Sequence, residues 1–128
     1  MKTATKLVAF SLVLTLGLGL LYFIRNNYLF FSVQSGSMAP QISTGALVLS
    51  QRVDIKNLRV GDVVTYTDRN NPKKTITHRI TKLNSPTETK VTTKGDANLE
   101  HDKPIMPQQI LGVTKFHIPI VGYLIDFI

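Results

Sequence analysis

No cysteine and no tryptophan occur in the 128 residues, and the eight acidic side chains are outnumbered by fifteen lysines and arginines. Without thiols there are no disulfides and no thiolate metal sites, so a small domain must be held by its apolar core alone, whichever redox compartment it occupies. His78, His101 and His117 are too dispersed to read as a zinc site, no H-x-x-x-H spacing occurs, and no metal is expected. There is no internal repeat at solenoid periods. The net charge is +7. The basic residues are scattered, which suits a solvated surface with some attraction to anionic lipid and does not make a nucleic-acid footprint.

The first 24 residues differ in kind from the rest. Lys2 and Lys6 precede Leu7–Ile24, an uncharged run dominated by Leu, Val, Ala and Phe. As a helix rising about 1.5 Å per residue it spans about 27 Å, close to a hydrocarbon core. A cleavable leader would have a shorter apolar stretch ending at small residues. Here the run passes straight into Tyr22-Phe23-Ile24-Arg25-Asn26, so the segment reads as a retained anchor. Positive charge before the run keeps residues 1–6 in the cytoplasm and exports residues 25–128. The chain thus divides into a cytoplasmic N-terminus (1–6), a transmembrane anchor (7–24) and an extracytoplasmic domain (25–128), a single-pass protein of the cell membrane with the bilayer as its first partner.

Beyond the anchor the pattern is β. Tyr28–Gln34 is aromatic and β-branched enough for a strand, and Ser35–Gly45 is a Ser-, Gly- and Pro-rich loop. Ala46–Val53 alternates in part, with Leu47 and Leu49 on one face. Gly61 ends a turn before the strand Asp62–Thr67, and Asp68–Lys74 has hairpin composition. Thr75–Leu83 alternates strictly, placing Ile76, His78, Ile80 and Lys82 on one face and Thr75, Thr77, Arg79 and Thr81 on the other. Glu88–Lys94 and Gln109–Ile118 complete the strands, with a polar loop over Lys94–Asp102. The apolar segment Ile118–Ile128 is too short to span a bilayer and carries Asp126; it either packs under the domain or lies on the membrane surface. The fold class is mainly β: a small, coiled, antiparallel domain on one N-terminal transmembrane helix.

Three local features could carry chemistry. In Ser35-Gly36-Ser37-Met38-Ala39-Pro40, Gly36 permits φ values other residues resist, and Pro40 stiffens the exit. Such a loop can present Ser37 Oγ outward and leave its own N–H free, while the Ser35 hydroxyl adds a second donor for an oxyanion. His78 shares a strand face with two isoleucines, and burial favours the neutral imidazole that a general base requires. A carboxylate from Lys94–Asp102 that reached this ring would fix its tautomer; Asp96 and Asp102 are the candidates. Asp96 follows Gly95 directly, where a short carboxylate tends to bond its own turn, and Asp102 has more loop with which to fold back. Lys73 and Lys74 sit in the polar hairpin and read as a solvated pair.

Taken in order behind an export anchor, SGSMAP (Ser35–Pro40), VGDVVTY (Val60–Tyr66), ITHRI (Ile76–Ile80) and TKGDAN (Thr93–Asn98) followed by Asp102 resemble signal peptidase I. Within it they resemble the Ser–His branch of archaeal, endospore-former and endoplasmic reticulum catalytic-subunit enzymes. A lysine stands in place of His78 in the other bacterial branch. The resemblance implies a serine endopeptidase that removes signal peptides from exported precursors with Ala-x-Ala-like cleavage sites. Ser37 would be the nucleophile, His78 the general base and Asp102 the triad acid. Asp96 would be the supporting aspartate of the Gly-Asp box, and Ser35 with the Ser37 N–H would bind the oxyanion. No cofactor is implied. An endoplasmic reticulum membrane is implied if the source is eukaryotic, and further membrane subunits are an open possibility. Two departures stand out: Glu100-His101 before Asp102, and an end at Ile128 where many relatives continue into a second hydrophobic helix, so that a near-minimal version is expected. The rival from another class is a catalytically silent, membrane-anchored β module that binds peptides. A self-cleaving regulatory protease on a related scaffold would carry a lysine base and a DNA-binding domain, and this chain has His78 and an anchor instead.

Overall fold

The computed structural model describes residues 2–84 and 90–119. It consists of one long helix, α1 (Lys2–Asn27), followed by a six-stranded sheet: β1 (Tyr28–Ser32), β2 (Leu47–Gln51), β3 (Val63–Thr67), β4 (Thr75–Leu83), β5 (Val91–Lys94) and β6 (Ile110–Ile118), with short 3-10 turns at Ile55–Asn57 and Pro107–Gln109. The chain is mainly β, as expected. The helix outruns the apolar run of residues 7–24 by several residues at its N-terminal end and by three at the other. None of its side chains is buried, and it is the one helix among the described residues long and apolar enough to cross a membrane. Its C-terminal end is tied to the sheet: the Arg52 N–H donates to the Asn27 carbonyl at 2.9 Å, and the Phe23 and Tyr28 rings meet edge to face.

The strand order is β1-β2-β6-β3-β4-β5 and every pairing is antiparallel. Register shifts interrupt β2/β6, β3/β6 and β4/β5; such irregularities bend a strand and increase local twist. Side chains alternate across β3, and two core clusters form. Val64 and Tyr66 join Leu58, Ile80, Val91, Ile105 and Val113 in one. Val63 packs against the other, built from Val33, Met38, Ile42, Ala46 and Val48. On β2 the inward face is Val48 and Ser50; Leu47 and Leu49, the more apolar pair in sequence, stay half-buried.

Expected and observed strands agree closely where alternation is strict. β4 has the bounds read from the sequence, with His78 and Ile80 buried on one face. The strand expected at Glu88–Lys94 is seen from Val91; Lys90 precedes it without joining it, and Glu88 and Thr89 lie outside the described residues, as does most of the Ile118–Ile128 segment. At Gln109–Ile118 the first residue instead ends a 3-10 turn.

Candidate active site

The loop between β1 and β2 is held from beneath. Met38 is fully buried, and burying such a side chain contributes about 1.5–3 kcal/mol. The Ala39 N–H bonds the Gly36 carbonyl, and the Ile42 N–H bonds that of Met38. The left-handed glycines are Gly45 (φ 80°) and Gly61 (φ 97°), not Gly36. The expectation that Gly36 supplies unusual backbone freedom is therefore corrected: the loop is closed at Gly45, whose N–H bonds the Val33 carbonyl at 2.7 Å. Gly95 matters for a different reason. A Cβ there would stand 2.7 Å from the Ser37 carbonyl oxygen. This close approach lets the Ala97 N–H donate to that same oxygen at 2.8 Å and locks the loop after β5 onto the loop that carries Ser37.

With the loops so held, Ser37 Oγ lies 3.0 Å from His78 Nε2, and His78 Nδ1 lies 2.6 Å from Asp102 Oδ2. The ionised carboxylate can only accept, so Nδ1 carries the imidazole proton and Nε2 presents its lone pair to the Ser37 hydroxyl. That hydroxyl has one proton, committed to Nε2. Ser35 Oγ, 3.1 Å from Ser37 Oγ, is then the donor of their mutual bond. The Ser37 main-chain N–H makes no hydrogen bond among the described residues, so two donors stand beside one nucleophile-type oxygen.

Asp96 is placed elsewhere. It does not bond its own turn, as its position after Gly95 suggested. Its carboxylate forms a two-pronged pair with Arg79, at 2.9 Å to Nε and 2.7 Å from Oδ2 to Nη2. Arg79 also donates to the Gly61 carbonyl and to Gln41. Adjacent residues of β4 therefore point to opposite faces and engage different acids: His78 takes Asp102, and Arg79 takes Asp96. The guanidinium hydrogen bonds hold the Asp96 carboxyl below its usual range, and Asp96 in turn raises Arg79. A depressed carboxylate stabilises the fold above its unfolded pKa, about 3.9. That contribution is lost as pH falls through the lower folded value. We expect Asp96→Asn to lower Tm near neutral pH and the difference from the unmodified protein to shrink below about pH 4, measured by thermal melts across pH.

Sequence reasoning passed over three residues that the structure brings to this region: Arg79, Tyr66 and Thr93. Thr93 Oγ1 lies 2.7 Å and the Tyr66 hydroxyl 3.3 Å from Asp102 Oδ2. A cleft of about 550 Å3 opens over the Ser37–His78 pair, bordered by Val33–Ser35 on one side and Thr75–Thr77 on the other. Lys73 and Lys74, read as a solvated hairpin pair, line its far end, with Lys74 3.9 Å from Asp68. His101 faces Thr81, and no group of three or more potential metal ligands occurs among the described residues.

No family model matches the chain. Curated relatives do. Signal peptidase I W of Bacillus subtilis (strain 168) is 36% identical over 97 residues, covering 73% of this chain and 50% of that protein. The signal peptidase complex catalytic subunits SEC11 of Colletotrichum graminicola and Verticillium alfalfae are each 36% identical over 104 residues, covering 72% of this chain and 59% of theirs. The chain belongs to the signal peptidase I family. It spans between half and three-fifths of the length of these relatives. As a signal peptidase I family member it couples the apolar helix directly to the sheet, since β1 begins at the residue after α1 ends. The first strand therefore leads from the helix into the loop that presents Ser37.

Proposed function

We propose that the chain is a membrane-anchored serine endopeptidase that removes signal peptides from exported precursors, with Ser37 as nucleophile and His78 as general base. The observation that carries the reading is the continuous Ser37–His78–Asp102 hydrogen-bonded line at the floor of an open cleft. A silent peptide-binding module would not need Ser37 and His78 within hydrogen-bond reach, and they are 3.0 Å apart.

The cleft suits an extended peptide. β5 pairs with β4 only from Arg79 onward, so among the described residues Thr75–His78 has no strand on the side away from β3. Among the described residues β1 is the edge strand beside β2. A substrate strand adding between these edges gains main-chain hydrogen bonds, and shallow flanking pockets accept small side chains such as those of an Ala-x-Ala site. Ser37 Oγ attacks the scissile carbonyl as its proton passes to His78 Nε2. Asp102 stabilises the imidazolium so formed. The proton then goes to the leaving amine; water, deprotonated by His78, attacks the acyl carbon, the bond from that carbon to Ser37 Oγ breaks, and His78 returns the proton to Oγ. The Ser37 N–H and the Ser35 hydroxyl receive the oxyanion. Ser35→Ala is expected to lower kcat on the order of 10- to 1,000-fold with little change in KM, in steady-state assays.

The helix holds this chemistry at the bilayer, with the N-terminus cytoplasmic and the sheet outside. Phe30 and Phe116, both more than half exposed and each opposite Leu49 in register, continue an apolar surface near the helix end. The deciding experiment incubates the full chain in detergent or lipid with a precursor bearing an Ala-x-Ala site and sequences the new N-terminus. Cleavage after the second alanine is expected. An intact precursor, with the fold verified, sinks the reading. Protease added outside sealed spheroplasts should digest residues 28–119, and protection of that region would reverse the orientation.

A further inference from the structure

The triad acid is held by a hydroxyl pair that the reaction itself does not consume. Asp102 Oδ2 receives three contacts: His78 Nδ1 at 2.6 Å, Thr93 Oγ1 at 2.7 Å and the Tyr66 hydroxyl at 3.3 Å. Thr93 Oγ1 and the Tyr66 hydroxyl are 3.2 Å apart, closing a small triangle. Thr93 grips the residue twice, since its carbonyl also accepts the Asp102 N–H at 2.8 Å. That backbone bond returns the loop of residues 95–101 to β5 and sets Asp102 beside the strand carrying His78. Both hydroxyl residues are buried, Thr93 fully and Tyr66 to 3% exposure. Thr93 stands opposite Ile80 on β4, where side-chain alternation gives a site that an apolar residue would fill without leaving a polar group to satisfy.

We propose that Thr93 and Tyr66 are positioning residues that hold the Asp102 carboxylate on His78 Nδ1 and so keep the imidazole in the tautomer that leaves Nε2 free for Ser37. The proposal rests on reading Ser37, His78 and Asp102 as the catalytic set. Proton counting supports it. Thr93 has one hydroxyl proton, and the shorter, charge-assisted bond to the carboxylate takes it. Burial pushes the Tyr66 hydroxyl up to about 12, so it keeps a proton to donate at working pH. With both protons directed at Oδ2, that oxygen has no freedom to rotate away when the imidazole becomes positively charged.

The test uses the full chain in detergent with two readouts. The first is single-turnover and steady-state cleavage of an Ala-x-Ala precursor. The second is the low-field proton resonance of the His78 Nδ1–H, which needs no turnover. Thr93→Val keeps the β-branched shape and is expected to lower kcat on the order of 10- to 100-fold, as loss of an outer partner does for metal-bound imidazoles, with KM changed less than twofold. It should also broaden or abolish the resonance. Thr93→Ser should restore both, and Tyr66→Phe should lower kcat about 5-fold, the effect of one ordinary hydrogen bond. In an Asp102→Ala background Thr93→Val should have no further effect on either readout. Unchanged kcat and resonance in Thr93→Val overturn the proposal, as does an equal loss in the Asp102→Ala background, which would mark a purely structural role. Activity surviving in Ser37→Ala would sink the catalytic reading instead, and the resonance would still report whether Thr93 holds Asp102 on His78.

Discussion

Ser37→Ala is expected to abolish precursor cleavage, with a loss on the order of 10⁵- to 10⁶-fold, while leaving Tm almost unchanged. The loop does not depend on the Ser37 side chain. It is held by buried Met38, by the Ile42–Met38 and Gly45–Val33 backbone bonds, and by the Ala97 N–H on the Ser37 carbonyl. Alanine preserves all of these. The neighbouring Ser35 hydroxyl cannot take over, because it contacts Ser37 Oγ and makes no bond to the imidazole. His78→Ala should cost a similar factor, and the double variant should be little worse than either single one, because the two side chains act as a unit. Cleavage assays alongside thermal melts check this, and near-normal turnover by either single variant would refute the assignment.

How much of this was legible beforehand differs by element, for physical reasons. β4 could be bounded to the residue because its composition alternates with the pleat, and β3 nearly so because its β-branched and aromatic run is buried toward both core clusters. β2 was harder. Its buried positions are Val48 and Ser50 and its half-buried ones Leu47 and Leu49, so the more apolar face is not the more buried. Ser35, Ser37, His78, Asp96 and Asp102 stood out as residue types in a known order, and motif reading can go that far. What it could not give was the sorting of contacts between them. Arg79 lies 17 residues from Asp96, and Tyr66 lies 36 from Asp102. Such pairings depend on the β3-β4-β5 register, which no local window contains. Thr93 did leave a signal: a polar residue at a position that alternates with buried Val91. Such a residue in a core register must have a hydrogen-bond partner, and in the structure that partner is Asp102.

The same sorting decides which carboxylate should matter most to the chemistry. Asp102→Asn is expected to lower kcat by roughly 10⁴-fold while the protein stays folded, the cost of a wrong imidazole tautomer in a serine triad. The amide is nearly the same size, and the Thr93 carbonyl still receives the residue 102 N–H, so the loop keeps its anchor. What changes is the hydrogen bonding. The asparagine can offer an NH₂ to Nδ1, which would then accept, place the ring proton on Nε2 and leave no lone pair for Ser37. Asp96→Asn should behave differently. Asp96 meets Arg79, not His78; an asparagine there keeps one acceptor oxygen for the guanidinium but loses the negative charge and the second prong of the pair. That guanidinium helps join the loop after β5 to β4 and to the Ser37 loop through Gln41, so the expected result is a lower Tm and a smaller fall in activity that follows the loss of fold. The comparison is made with kcat measured well below both Tm values. A large loss in a stable Asp96→Asn protein, with Asp102→Asn near normal, would exchange the two roles. It would also mean that the 2.6 Å contact between His78 and Asp102 is not the one that orients the base.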